Sequence, residues 1–204
     1  MRVPVISGGK NLFMLAAALG LMLTLTNCKK EKKPSNNSTP TVAEQNPLSG
    51  YLSASGFDED TNAVVNGGDF EFGLKFIPAV SGKMTAIIVK IPDVNTNVKV
   101  TIWDAATTDI LRTELVQITS SGVDIMKTIS PLNLTAGTEY MISMNSNDWY
   151  NYTKADNSFA TYPVTSGDFS ITGYGYSSGN EQLFPSTNST SYYAGDLSFK
   201  FQKN

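Results

Sequence analysis

Segment 145–162, NSNDWYNYTKADNSFATY, gathers the residue types in this chain best suited to holding a ligand. Trp149, Tyr150 and Tyr152 alternate with amides and follow a carboxylate, Asp148. An aromatic face stacks on the apolar face of a pyranose ring, and neighbouring polar groups fix the hydroxyls. Trp149, Tyr150, Tyr152, Asp148 and Asn151 are therefore the candidate ligand-binding residues, presented on a loop, with Lys154 as a further donor. The competing expectation is that the rings pack beneath a long loop and close one end of the domain. Tyr174, Tyr176, Tyr192 and Tyr193 form a second aromatic group among glycines and serines, expected to serve packing or strand edges.

A second cluster is acidic. Asp58, Glu59 and Asp60 precede the first strong strand, Asp69 and Glu71 begin it, and Asp196 begins the last one. First and last strands of an antiparallel sandwich often lie close, so these carboxylates would repel one another unless a cation or hydrogen bonds offset them. Asp58, Asp60, Asp69, Glu71 and Asp196 are the candidate ligands of a structural calcium ion, although their spacing is not that of an EF-hand loop. The alternative is a solvated acidic loop, the ordinary fate of exposed charge. Asp148 and Asp156 lie close enough in sequence for a carboxylate-only glycoside hydrolase. Such a site also needs a pocket and a raised pKa, which spacing does not supply.

Composition narrows the chemistry. The 204 residues include no histidine and one cysteine, Cys28. The commonest general base and metal ligand is missing, so Ser-His-Asp and Cys-His arrangements are excluded within the chain. Any metal would be held by oxygen ligands, which favours calcium or magnesium. No catalytic residue is assigned, and a non-enzymatic protein is expected. The formal charge of −3 argues against nucleic acid as a partner.

The segments that carry this domain come next. Arg2 and Lys10 precede an uncharged apolar run, residues 12–25 (LFMLAAALGLMLTL), which is long enough for a signal peptide and short for a membrane-spanning helix. The run ends in LTNC, residues 25–28. The segment resembles a lipoprotein signal peptide, with Leu25 three residues before the cysteine and Asn27 standing where Gly, Ala or Ser is usual. The expectation is a leader over residues 1–27 and a lipidated Cys28, whose diacylglycerol and amide-linked acyl chain (commonly palmitate) would anchor the protein stably to a membrane. Loss of Arg2 and Lys10 with the leader leaves 13 basic against 18 acidic side chains. Residues 28–50 are rich in Lys, Pro, Ser, Thr and Asn and read as a flexible linker. The lysines beside Cys28 could lie against anionic headgroups or simply be solvated.

From residue 51 to 204 the pattern changes to short alternating runs. Phe70, Phe72, Leu74 and Phe76 alternate with Glu71, Gly73 and Lys75. Similar faces recur at Ile87/Val89/Ile91, Val98/Val100/Ile102, Leu111/Thr113/Leu115, Tyr140/Ile142/Met144 and Leu197/Phe199/Phe201, with a weaker candidate at 125–129. Turn signals separate them, and no stretch shows sustained helical spacing. This predicts an all-β domain, an antiparallel, jelly-roll-like β-sandwich. Trp103 ends the third run on its opposite face and is expected in the core or between sheets.

The stretches SGKMTAIIVKI, VKVTIWDAATTDILRTE, ISPLNLTAGTEYMIS and YYAGDLSFKF together resemble an uncharacterised bacterial domain family of β-sandwich fold that recurs in surface and carbohydrate-associated proteins. They are also similar to small lipoproteins of the Bacteroidota. The resemblance spans roughly residues 70–201 and implies a fold without an activity. The expected function is that of a lipid-anchored outer-membrane protein that binds carbohydrate or another surface ligand through aromatic loops. The rival is a structural subunit of an envelope complex, paired with a protein partner through strand edges.

Overall fold

The computed structural model describes residues 43–58 and 60–204. The leader, Cys28 and most of the expected linker lie outside the described residues, as do Glu59 and the side chain of Asp60. The body begins earlier than Tyr51, because Gln45 already pairs with Phe201 as an antiparallel bridge.

Among the described residues, one helix, α1 (Pro47–Ser55), precedes the strands. The Asn46 side chain caps it by accepting from the Leu48 N–H, Pro47 opens its first turn, and Gly56 closes it at φ 78°. Its local sequence is a poor helix former, and its place is set by contacts. Ser166 Oγ donates to the Pro47 carbonyl at 2.6 Å, Ser198 Oγ donates to Asn46 Oδ1, and Tyr51 is fully buried. A Cβ on Gly50 would lie 2.4 Å from Ser166 Oγ, so only glycine allows this approach.

The strands follow as β1 (Asp60–Val64), β2 (Phe70–Pro78), β3 (Gly82–Lys90), β4 (Asn95–Asp104), β5 (Ile110–Ile118), β6 (Ile125–Leu134), β7 (Tyr140–Ser146), β8 (Trp149–Thr153), β9 (Val164–Ser166), β10 (Phe169–Ser178), β11 (Thr187–Ser189), β12 (Tyr193–Ala194) and β13 (Asp196–Lys203). They build three antiparallel sheets. The largest has seven strands in the order β11-β10-β2-β7-β4-β5, with β9 also pairing to β10. The second is β13-β3-β6 and the third β1-β8-β12. The expected all-β antiparallel sandwich is the fold observed.

Alternation decides which side chains meet. Phe72, Leu74 and Phe76 of β2, Val98, Val100 and Ile102 of β4, and Ile142 and Met144 of β7 form the inner face of the large sheet. Ile87 and Val89 of β3 and Leu197, Phe199 and Phe201 of β13 come from the second sheet. Aromatic contacts lock the two together: Phe76 lies 4.9 Å from Phe199 and Phe169 4.9 Å from Phe201, ring centre to ring centre.

The outer face of the large sheet is covered in part by the loop 179–186. Phe184 meets Trp103 edge-on at 5.7 Å, and Gln182 Nε2 donates to Thr101 and Thr113 Oγ1. Trp103 is therefore buried on the outer face, not between the sheets, and its Nε1–H donates to Ser143 Oγ at 2.7 Å. Ser143 in turn donates to Glu71 Oε1. Glu71 is 1 % exposed, and among the described residues its Oε2 has no hydrogen-bond partner. Burial pushes its carboxyl up to about 7, against the lowering effects of Ser143, Asn145 and Lys99.

Candidate functional site

The site begins at the turn between β7 and β8, where only Asn147 and Asp148 carry the chain from the large sheet into the third. Ser146 Oγ donates to the Asp148 carbonyl at 2.7 Å and accepts from the Asp148 N–H. Asp148 is buried and accepts from the Asn66 N–H at 2.7 Å, while the Gly67 N–H donates to the Asn147 carbonyl. The turn thus ties down the loop between β1 and β2. Asp148 serves as that anchor and is not among the residues that line the cleft described below.

Beyond the turn, segment 149–153 is a strand and not the expected loop. It runs between β1 and β12, with Asn62 opposite Asn151, Val64 opposite Trp149, and Tyr193 opposite Tyr152. Strand geometry sends alternate side chains to opposite faces. Trp149 and Asn151 go to one side; Tyr150 and Tyr152 go to the other.

On the first side lies a cleft of about 500 Å³. One wall is the face of the third sheet: Asn62, Val64, Trp149, Asn151 and Ala194. The facing wall is the end of the large sheet, Phe70 and Phe72 from β2 with Tyr174 and Tyr176 from β10, and Tyr192 completes the rim. Trp149 stands edge-on to Phe70 and Phe72 at 5.5 and 5.7 Å, so its indole is held by two rings. Gly67 lies against the same indole: a Cβ there would come within 2.5 Å of it. Tyr174 is buried at the back, with Tyr192 edge-on at 5.6 Å and Tyr176 stacked at 6.3 Å. Burial, then a hydrogen bond with Tyr176, pushes the Tyr192 hydroxyl up to about 12, so it stays protonated at neutral pH. Among the described residues, the Asn62 and Asn151 side-chain amides make no hydrogen bond within the protein, although both line the cleft. Among the described residues, no charged side chain lines it.

The opposite side of β8 is structural. Tyr152 Oη donates to both oxygens of Asp196 at 2.6 Å, and its ring stacks on Tyr193 at 5.8 Å. Lys90 Nζ lies 2.6 Å from Asp196 and 5.1 Å from the centre of the Tyr150 ring. Of the five expected ligand-binding residues, Trp149 and Asn151 line the cleft, and Tyr150, Tyr152 and Asp148 do not. Sequence reading missed Asn62 and Phe70, and it assigned Tyr174, Tyr176 and Tyr192 to packing. The only available signal for the tyrosines was their clustering.

The expected calcium ligands are dispersed. Glu71 is buried on the outer face of β2, and Asp196 lies on a different sheet, engaged by Lys90 and Tyr152. Asp58 and Asp69 are exposed, and Asp60's side chain is outside the described atoms. The strands that carry Glu71 and Asp196 fall in separate sheets, which is why these two carboxylates do not converge. Among the described residues, no three acidic, histidine or cysteine side chains are grouped to hold a metal ion. Asp156 sits in the exposed turn after β8, where hydrogen bonds from Ser158 hold its carboxyl below the usual range. Neither it nor Asp148 lines the cleft.

No curated protein matches the chain. A family model does match, over residues 58–194, which spans β1 to β12 and so includes both walls of the cleft. With more than half of its length matched, the chain belongs to the family described as Domain of unknown function (DUF4082).

Proposed function

We propose that this protein is a cell-envelope lipoprotein, anchored through Cys28 to the outer membrane, whose domain binds carbohydrate in the Trp149 cleft without transforming it. The observation that carries the reading is the pairing of half-buried aromatic faces with two amides, Asn62 and Asn151, that have no hydrogen-bond partner among the described residues. Aromatic faces supply stacking area, and free amides supply the directional donors and acceptors that sugar hydroxyls require. A cleft of this volume is within the usual range for small-ligand sites. Among the described residues, a carboxylate pair, which glycoside hydrolysis would need, is not part of its lining.

The test is glycan-array screening of the purified full chain, followed by polysaccharide retardation in gels. Wild type should bind at least one glycan, and Trp149→Ala and Tyr176→Ala should bind it weakly or not at all. Absence of binding to every glycan would overturn the reading. The rival, a structural subunit of an envelope complex, draws on β5, an end strand of the large sheet with exposed Ile110, Leu111 and Leu115. That edge is partly engaged already, since Lys127 Nζ donates to the Leu115 carbonyl. A stoichiometric protein partner recovered from solubilised membranes would favour it.

A further inference from the structure

The cleft's lining narrows the ligand class, and this inference rests on the carbohydrate-binding reading above. Three features bear on it. The first is charge: the described residues around the cleft are aromatic, aliphatic or amide, with no Lys, Arg, Asp or Glu among them. Among these residues an anionic sugar would surrender hydration and meet no cation, and a cationic one would meet no carboxylate. The second is the position of the amides. Asn62 and Asn151 are directly opposed in the β1–β8 register, and both face the cleft. Directly opposed residues hold their Cβ atoms about 5 Å apart. Two amides so placed offer two acceptors and two donor groups over one short span, matching adjacent hydroxyls, each of which both gives and accepts a hydrogen bond. The third is the apolar corner beside them, made by Val64, Ala194 and Phe72, which suits carbon-bound hydrogens and not further hydroxyls.

We infer that the cleft takes a neutral sugar unit, stacked on the aromatic wall, with two adjacent hydroxyls bridged by Asn62 and Asn151 and no metal ion between sugar and protein. The amides do the work that calcium does in sites where carboxylates and a cation grip a diol. The rim tyrosine Tyr192, protonated at neutral pH, adds a neutral donor to the described lining.

Affinity electrophoresis of the full chain tests this against neutral polysaccharides (β-glucan, mannan, galactan, xylan) and acidic ones (polygalacturonate, alginate, chondroitin sulfate), each with calcium and with EDTA. The expected result is retardation by a neutral polymer, unchanged by EDTA. Asn62→Ala should weaken it by about ten-fold, as for loss of one or two hydrogen bonds. Asn62 is exposed at its strand, so this variant should fold, and a thermal melt confirms that it has. Asn62→Asp, which keeps the shape but loses the donor and adds charge, should also bind less. Retardation by acidic polymers alone, or binding abolished by EDTA, would overturn this inference and leave carbohydrate binding standing. Retardation by none would overturn both.

Discussion

Tyr152 and Asp196 meet as a phenol held on both oxygens of one buried carboxylate, at 2.6 Å to each. Burial pushes the Asp196 carboxyl up and the Tyr152 hydroxyl well above its usual value, while Lys90 and Tyr152 partly offset the shift at Asp196. The pair fastens β8 of the third sheet to β13 of the second. Tyr152→Phe removes the phenol and leaves a buried acceptor short of a donor. A loss of about 1–3 kcal/mol is expected in urea unfolding. Because Tyr152 faces away from the cleft, glycan retardation under native conditions should be unchanged.

Glu71 makes stability depend on pH. Burial raises its carboxyl in the folded protein to about 7, from the 4.5 usual for a glutamate. Between these values the folded state holds a proton that the unfolded state has released, so stability falls as pH rises through this window and levels off above it. The loss is roughly 3 kcal/mol from pH 4 to pH 8 by linkage alone. Glu71→Gln keeps the Ser143 contact without the charge. In parallel denaturation series it should remove most of this decline and be more stable than wild type at pH 8.

Asp148→Ala should loosen the loop 65–69 by removing the acceptor of the Asn66 N–H. Asn66 is held at φ 54°, an uncommon conformation for a residue other than glycine. Faster proteolytic cleavage within this loop is expected, together with weaker glycan retention, because the same loop lies against Trp149. Stability should fall by about 1–3 kcal/mol.

Gly67→Ala probes the indole directly. The added methyl would meet the Trp149 ring at 2.5 Å and the Val64 side chain at 2.7 Å, so the tryptophan must move. A shift in tryptophan emission and at least several-fold weaker retention are expected, with global unfolding changed by about 1–3 kcal/mol. Unchanged emission would count against the placement of the indole.

At the other end of the chain, metabolic labelling with a fatty-acid analogue should mark the wild-type protein and not Cys28→Ser, and mass spectrometry should find residue 28 at the mature N-terminus.

The strands of the large sheet were readable because one face of each is apolar and the other is not: β2 alternates Phe70, Phe72, Leu74 and Phe76 with Glu71 and Lys75. β8 defeats the same reading. Its two faces are Trp149/Asn151 and Tyr150/Tyr152, aromatic on both sides, because one borders the cleft and the other packs towards Asp196. No period-two contrast is left, and the segment reads as a loop. α1 is invisible for another reason: PLSGYLSAS carries weak helical propensity and is positioned by Ser166 and Ser198, more than a hundred residues away. The cleft was legible only through Trp149 and Asn151. Phe70, Asn62 and the three tyrosines join them through pairings among β1, β2, β8 and β10, which no local pattern announces.

The bridge between Gln45 and Phe201 lies far from the cleft. Gln45 also accepts from the Asp168 N–H, beside the Pro78 end of β2, whereas the cleft opens at the Phe70 end. Those ends are separated by about 25 Å at the rise of an extended strand. The end of β2 beside Gln45 and Asp168 and the end that carries the cleft therefore share no residue, so substitutions at Gln45 should leave the aromatic wall untouched.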